Sequence, residues 1–370
     1  MSKNKELIER IGIDKTVITN FTIKSIDTDY LKAMNIEIIE NNNSLLKTED
    51  NIGILKLKIK DSFFGMLDCG FTNANKNKKF VSYTKLTITV SQNYNLQNLN
   101  VEEYKQRIKD VFQYINEKYK IEITYSFDTL NITYMEINYT FKLKYKFNDY
   151  KRALLILISN MPKNKYSDKS NHNIKYKSFF EINQDENIAN LETLSVKNSS
   201  IEFVIYNKTK QIKDTKNISL PDDYIRIEYR LKRKDSYIKS IGGVVSNLTD
   251  KKLKDFYIKN FTYDIIKPFD SYKEKIKEQF EKELKPFLEK SDKQWYSKFI
   301  RIVKDYEINN NFPMLVDITD IFPMLKQYSK TNYSRRIKMV INKANKYDKS
   351  LLDVNKKINE ILNKIKSINE

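Results

Sequence analysis

Cysteine and histidine are nearly absent from this 370-residue chain, which holds one of each, Cys69 and His172. A single copy therefore cannot assemble a Cys/His zinc centre, a disulfide or a two-histidine metal clamp. His172 lies in the polar run 160–173, where a solvated loop histidine is expected. Cys69, within Met66-Leu67-Asp68-Cys69-Gly70, reads as a small buried residue and not as a nucleophile. Glycine is scarce too. The six, Gly12, Gly53, Gly65, Gly70, Gly242 and Gly243, form neither Gly-x-Gly-x-x-Gly nor Gly-x-x-x-x-Gly-Lys, which argues against a phosphate-loop ATPase, a helicase or a Rossmann enzyme. No apolar run approaches the roughly 18 residues that span a bilayer. The start, Met1-Ser2-Lys3-Asn4-Lys5-Glu6, lacks the apolar core of a signal peptide, so a soluble cytoplasmic protein with no membrane partner is expected. With soft ligands missing, any metal would be held by carboxylates, as Mg²⁺ or Mn²⁺.

Positive charge is plentiful. Lys and Arg number 67 against 48 Asp and Glu, a formal net charge of +19, and the sequence pI is about 9.4. A field of that sign attracts nucleic acid or an anionic surface. Richness in Lys, Asn, Ile and Tyr matches the codon bias of an A+T-rich genome, but that bias supplies Asp and Glu as well, so the net charge retains its meaning.

Two segments carry the most information. Ile201-Glu202-Phe203-Val204-Ile205-Tyr206-Asn207-Lys208 and Tyr224-Ile225-Arg226-Ile227-Glu228-Tyr229-Arg230-Leu231-Lys232-Arg233 are rich in β-branched and aromatic residues, with charges recurring at period two. Both are predicted strands. On the second, Arg226, Glu228 and Arg230 share one face, while Ile225, Ile227, Tyr229 and Leu231 share the other. A carboxylate between two guanidiniums suggests a polyanion site; the plainer reading is the solvated face of an antiparallel sheet.

The chain is long enough for two domains. Residues 1–48 form a polar-rich N-terminal segment. Residues 49–241 are dominated by strands, at 53–60, 85–90, 131–139 and the two segments above, with helices expected over 101–119 and 148–159. Tyr104, Ile108, Val111, Phe112 and Ile115 make an amphipathic stripe on the first helix. The expected fold is α+β, an antiparallel-rich sheet with packed helices. Gly242-Gly243 marks a boundary to an all-helical C-terminal domain, 242–370, with helices over 251–264, 271–290, 293–306 and 350–369. Pro286 predicts a kink or break near Lys285.

Taken in order, Lys85-Leu86-Thr87-Ile88-Thr89-Val90-Ser91, a helix, Leu130-Asn131-Ile132-Thr133-Tyr134-Met135-Glu136-Ile137-Asn138, Ile205-Tyr206-Asn207-Lys208 and Ile225-Arg226-Ile227-Glu228-Tyr229-Arg230-Leu231-Lys232 resemble rolling-circle replication initiators. The groups concerned are the staphylococcal-type plasmid initiation factors and the filamentous-phage nicking proteins, and the resemblance covers roughly residues 80–235. It implies nicking of one DNA strand through a tyrosine, with Mg²⁺ or Mn²⁺ assistance. Glu136 and Glu228 would hold the metal and Lys208 would neutralise charge on the phosphate. Arg226, Arg230, Lys232 and Arg233 would contact DNA. For Glu136 the alternative is a surface or paired acid. The nucleophile departs from the family pattern, since the stretch Thr193-Leu194-Ser195-Val196-Lys197-Asn198-Ser199 holds no tyrosine. Tyr206 and Tyr257 are the candidates carried forward, with Tyr176 and Tyr263 as alternatives.

Two functions are thus expected. One is a plasmid or phage initiator that binds and nicks origin DNA, single-stranded or supercoiled, and works with a host helicase. The other is a nucleic-acid binder that keeps the sheet without the nicking. A structural or membrane-surface protein would leave Arg226, Glu228 and Arg230 unexplained.

Overall fold

Alternation of apolar and polar residues along nine strands sorts their side chains onto two faces of one large sheet. The computed structural model describes residues 7–36, 38–41, 54–74, 79–89, 98–166, 192–232, 236–289, 294–298, 301, 322–328, 333–347 and 354–369. The strands are β1 (Ile11–Thr19), β2 (Thr22–Ile26), β3 (Ile38–Asn41), β4 (Ile54–Asp61), β5 (Gly65–Ala74), β6 (Lys79–Thr89), β7 (Ile121–Thr124), β8 (Asn131–Lys142), β9 (Thr193–Lys197), β10 (Ile201–Asn207) and β11 (Tyr224–Leu231). Nine of them form an antiparallel sheet in the order β3-β4-β5-β6-β1-β8-β11-β10-β9, and β2 pairs with β7 alongside. The fold is α+β.

One face of the sheet is apolar and covered by helices. Ile13, Ile18, Leu86, Ile88, Met135, Ile137, Ile225, Ile227 and Tyr229 all lie on it and are buried. Helix α1 (Val101–Tyr119) starts at a capping box of Asn100 and Glu103, and its stripe of Tyr104, Ile108, Val111, Phe112 and Ile115 is buried as the spacing predicts. Tyr104 Oη donates to Thr16 Oγ1 of β1 at 2.9 Å, fixing the helix to the sheet. Helix α2 (Lys151–Ser159) packs its dense apolar run into the same core.

Past β10, Asn207 caps helix α3 (Lys208–Lys216) by accepting from the Lys210 backbone N–H at 3.0 Å. Lys208 therefore opens a helix and does not end the strand. Helix α4 (Asp250–Phe261) runs through a π turn, Thr262–Ile266, into α5 (Lys267–Glu289). Pro286 stands inside α5, in its last turn, and the helix runs on to Glu289 without the expected break near Lys285. Beyond α6 (Val354–Lys366) the described chain ends with a 3₁₀ turn.

Two features of the fold bear on the expected division into 1–48, 49–241 and 242–370. The N-terminal segment supplies β1, which lies between β6 and β8 in the middle of the sheet. Of the helices after Gly243, α4 with Leu253, Phe256 and Tyr257 and α6 with Val354, Ile358 and Ile361 join the hydrophobic cluster of the sheet, whereas Phe280, Leu284 and Leu288 of α5 are buried outside it. Apolar helix faces follow the nearest uncovered sheet surface and not the order of the sequence. Of the expected helix 293–306, residues 293, 299–300 and 302–306 lie outside the described residues.

Candidate metal centre

The opposite face of the sheet is polar, and its centre is buried. β11 is buried on both sides: Arg226 and Glu228 are each 1% exposed, so the solvated-face reading fails for them. The registers explain the grouping. Arg226, Glu228 and Arg230 stand opposite Thr140, Asn138 and Glu136 of β8 on one side, and opposite Tyr206, Val204 and Glu202 of β10 on the other. Glu136 and Glu228 thus come together on adjacent strands.

A third carboxylate joins them. Asp14 of β1 sits where the β1–β8 register slips between Ile13 and Lys15, a bulge that re-aims the side chain. Carboxylate oxygens of Asp14, Glu136 and Glu228 lie within 4.8 Å of one another. Periodicity does not show this residue, because a bulge breaks the alternation that would have revealed it, and the polar-rich segment 1–48 is not predicted to supply a strand of the sheet.

Two guanidiniums hold these acids. Arg226 Nη1 donates to Asp14 Oδ2 at 2.8 Å and Nε to Thr140 Oγ1 at 2.7 Å. Expected to clamp a phosphate, Arg226 instead spends its donors inside the protein and positions Asp14. Arg230, one third exposed, donates from Nε to Glu228 Oε1 at 2.5 Å and stands 3.8 Å from Glu136 and 3.9 Å from Glu202. Burial and the neighbouring Glu228 still push the Glu136 carboxyl up to about 7, despite the Tyr134 hydrogen bond and Arg230. The cluster remains short of positive charge where Glu136 sits.

Two phenols meet the carboxylates. Tyr134 Oη donates to Glu136 Oε1 at 2.5 Å, and Tyr206 Oη donates to Glu228 Oε2 at 3.4 Å. Burial raises both phenols above the ordinary tyrosine value, with Glu136 adding to it at Tyr134 and Glu228 adding to it at Tyr206. Tyr134 was not among the expected candidates; its position two residues before Glu136, on the same strand face, is the signal that would have found it. Lys208 is 4% exposed and donates to Gln211 Oε1 at 2.7 Å. Burial, then Arg226, pushes its ammonium down to about 7.

The remaining expected residues are placed as follows. Tyr257 is corrected: it is fully buried in α4 on the apolar side and donates to the Ile227 carbonyl at 3.1 Å, with the sheet between it and the acids. Tyr263 is exposed on the π turn after α4, also on the helix side. Lys232 pairs with Glu202 at 2.7 Å near the cluster. Arg233, Tyr176 and His172 lie outside the described residues.

The donor set fits a hard divalent cation. Three carboxylates supply only oxygen, with no thiolate or imidazole among them, the chemistry that suits Mg²⁺ or Mn²⁺. Beside Glu228 in the register, the buried Asn138 amide nitrogen has no hydrogen-bond partner among the described residues, and a ligand oxygen carried by a bound cation would supply one. No protein-family model matches this chain, and no curated protein matches it either.

Proposed function

We propose that this protein is a replication initiator of a plasmid or phage, which binds origin DNA and cuts one strand by metal-assisted transesterification onto a tyrosine. The observation that carries the reading is the group of Asp14, Glu136 and Glu228 on the polar sheet face, with two phenols in hydrogen-bond contact with it. Asp14, Glu136 and Glu228 would hold the cation, which supplies Lewis-acid polarisation of the scissile phosphate. Arg226 keeps Asp14 oriented, and the exposed edge of Arg230 meets a non-bridging phosphate oxygen.

In the cut, a phenolic oxygen forms a bond to phosphorus while its proton passes to a neighbouring carboxylate. The bond from phosphorus to the 3′ oxygen breaks, and that oxygen leaves as a hydroxyl after taking a proton. Lys208, poised to carry or release one near neutral pH, is the buried source beside the cluster. Tyr134 and Tyr206 are the two phenols in reach of the acids.

A second reading, a non-catalytic nucleic-acid binder, is favoured by one observation: Arg226 and Arg230 already pair Asp14 and Glu228. One experiment separates the two. Supercoiled and single-stranded DNA carrying the replicon origin is incubated with Mn²⁺ and wild type, Glu228→Ala, Tyr134→Phe or Tyr206→Phe, and products are analysed for a nucleotide-linked tyrosine. A metal-dependent nick, reduced at least about 100-fold in Glu228→Ala, supports the initiator, and the phosphotyrosyl peptide names the nucleophile. Binding of origin DNA without any covalent product leaves the binder.

A further inference from the structure

The polar face holds more than the carboxylates. Across the registers, Lys60 of β4 pairs with Met66, Met66 with Thr87, Thr87 with Val17, and Val17 with Tyr134 of β8. These residues form one row perpendicular to the strands. Strands about 4.8 Å apart put about 19 Å between its ends. The next row joins Thr89, Lys15, Glu136 and Arg230, and so runs straight into the acidic cluster. Over these rows lies a groove of about 1050 Å³, with Lys15, Lys60, Lys85 and Lys232 on its walls.

Its charge is one-sided. Among the described residues Lys15, Lys60 and Lys85 make no ion pair, whereas Lys232 is shared with Glu202. Among the described residues the one carboxylate lining the groove, Asp61, is turned to other donors: Lys118 Nζ at 2.8 Å, Tyr119 Oη at 2.5 Å and Tyr114 Oη at 3.1 Å. Tyr134 closes the inner end with a half-buried ring, 5.8 Å beneath the Lys15 ammonium, and its hydroxyl touches Glu136. The groove therefore offers an aromatic face with Lys60, Lys85 and Lys15 around it, Lys85 opposite Asp68 and Lys15 opposite Glu136 in the register. A row of cations beside a ring is the chemistry that binds an unpaired polynucleotide, phosphates on lysines and a base on the ring.

We infer that this groove is the track for a single nucleic-acid strand, its phosphates on Lys60, Lys85 and Lys15 and one base against Tyr134, leading the strand to the carboxylates. The inference rests on the initiator reading for what happens at the end of the track, though not for the binding itself. A strand with unpaired bases can lower its phosphates to the floor, where Glu228 is 1% exposed, while its bases turn to the wall. A paired duplex keeps its bases inside and has none to offer Tyr134.

The test uses the full chain without divalent cation and a labelled oligothymidylate, with binding measured by anisotropy over a salt series. Lys60→Gln with Lys85→Gln, both exposed positions, is expected to weaken binding at least tenfold and to flatten the slope of log K against log salt by about 1.4, since each lost single-strand contact is worth about 0.7. The control, Lys251→Gln with Lys259→Gln on the exposed side of α4, removes the same charge and is expected to leave binding nearly unchanged. Equal losses in both pairs, or none in either, overturn the track, and so does a matched duplex that binds as tightly as the single strand. A parallel Mn²⁺ titration followed by electron paramagnetic resonance judges the other reading: wild type that takes up no Mn²⁺ sinks metal-assisted nicking, while the oligonucleotide series still decides the track.

Discussion

Glu136 is a carboxyl in a place that disfavours its charge. Its folded value is near 7 against 4.5 for the free side chain, so the native state binds the extra proton. The stability this contributes is full below about pH 4.5 and is lost as pH rises through 7, on the order of 3 kcal/mol at most. Glu136→Gln should therefore be more stable than wild type at pH 8 by urea denaturation without divalent cation, and the gap should shrink at pH 5. Added Mn²⁺ should raise wild type more than the variant. Arg226 behaves in the opposite sense. Replacing it by Met leaves Asp14 partly buried without its partner, and a loss of about 3–5 kcal/mol is expected in the same measurement. A loss below about 1 kcal/mol would show that the pair contributes little.

β1 is the element that makes the site. Ile13 and Ile18 face the helices, its bulge presents Asp14, and Lys15 and Val17 beyond the bulge line the groove. Gly12 precedes the bulge where the chain passes close to Asn98 and Leu99: a Cβ there would stand 2.6 Å from Asn98 Cγ and 2.7 Å from the Leu99 carbonyl oxygen. Gly12→Ala should cost about 1–3 kcal/mol through that crowding. By shifting the bulge it should also weaken Mn²⁺ uptake, read by paramagnetic resonance. Uptake unchanged in a destabilised variant would separate the bulge from the site. Asn98 matters for the same reason, since its amide donates to the Arg10 carbonyl at 3.0 Å and to Asn138 Oδ1 at 2.9 Å, tying β1 to β8.

At the scale of the whole molecule, the last helix closes the fold. Val354, Ile358, Ile361 and Ile365 of α6 are buried in the shared core. Glu360 accepts from Tyr150 Oη at 2.6 Å, and Lys364 pairs with Glu9 at 2.8 Å. Each large apolar side chain so buried stabilises by about 1.5–3 kcal/mol. Removal of residues 348–370 should lose most of the cooperative unfolding transition, and dye binding to exposed apolar surface should rise. A truncated chain that unfolds like wild type would show that α6 is dispensable. The net charge of +19 belongs to this scale as well; it predicts non-specific DNA binding that weakens steeply with salt.

Much of the architecture was legible along the chain. Alternation exposed β4, β8, β10 and β11, the three-and-four spacing exposed α1, and the order Ile205-Tyr206-Asn207-Lys208 held a strand end, a helix cap and a buried lysine. The pairing of Arg226, Glu228 and Arg230 on one face followed from period two alone. These are local properties, set by propensity and by where side chains point on a strand. What only the tertiary structure decided was non-local. The bulge brought Asp14, more than 120 residues from Glu136 in sequence, into contact with it. The same folding withdrew Tyr257 behind the sheet, turned Arg226 inward and joined α4 and α6 to the core of the sheet. Each outcome depends on which strand lies next to which, and register between distant segments is fixed by burial of the whole sheet and not by any residue's neighbours in sequence.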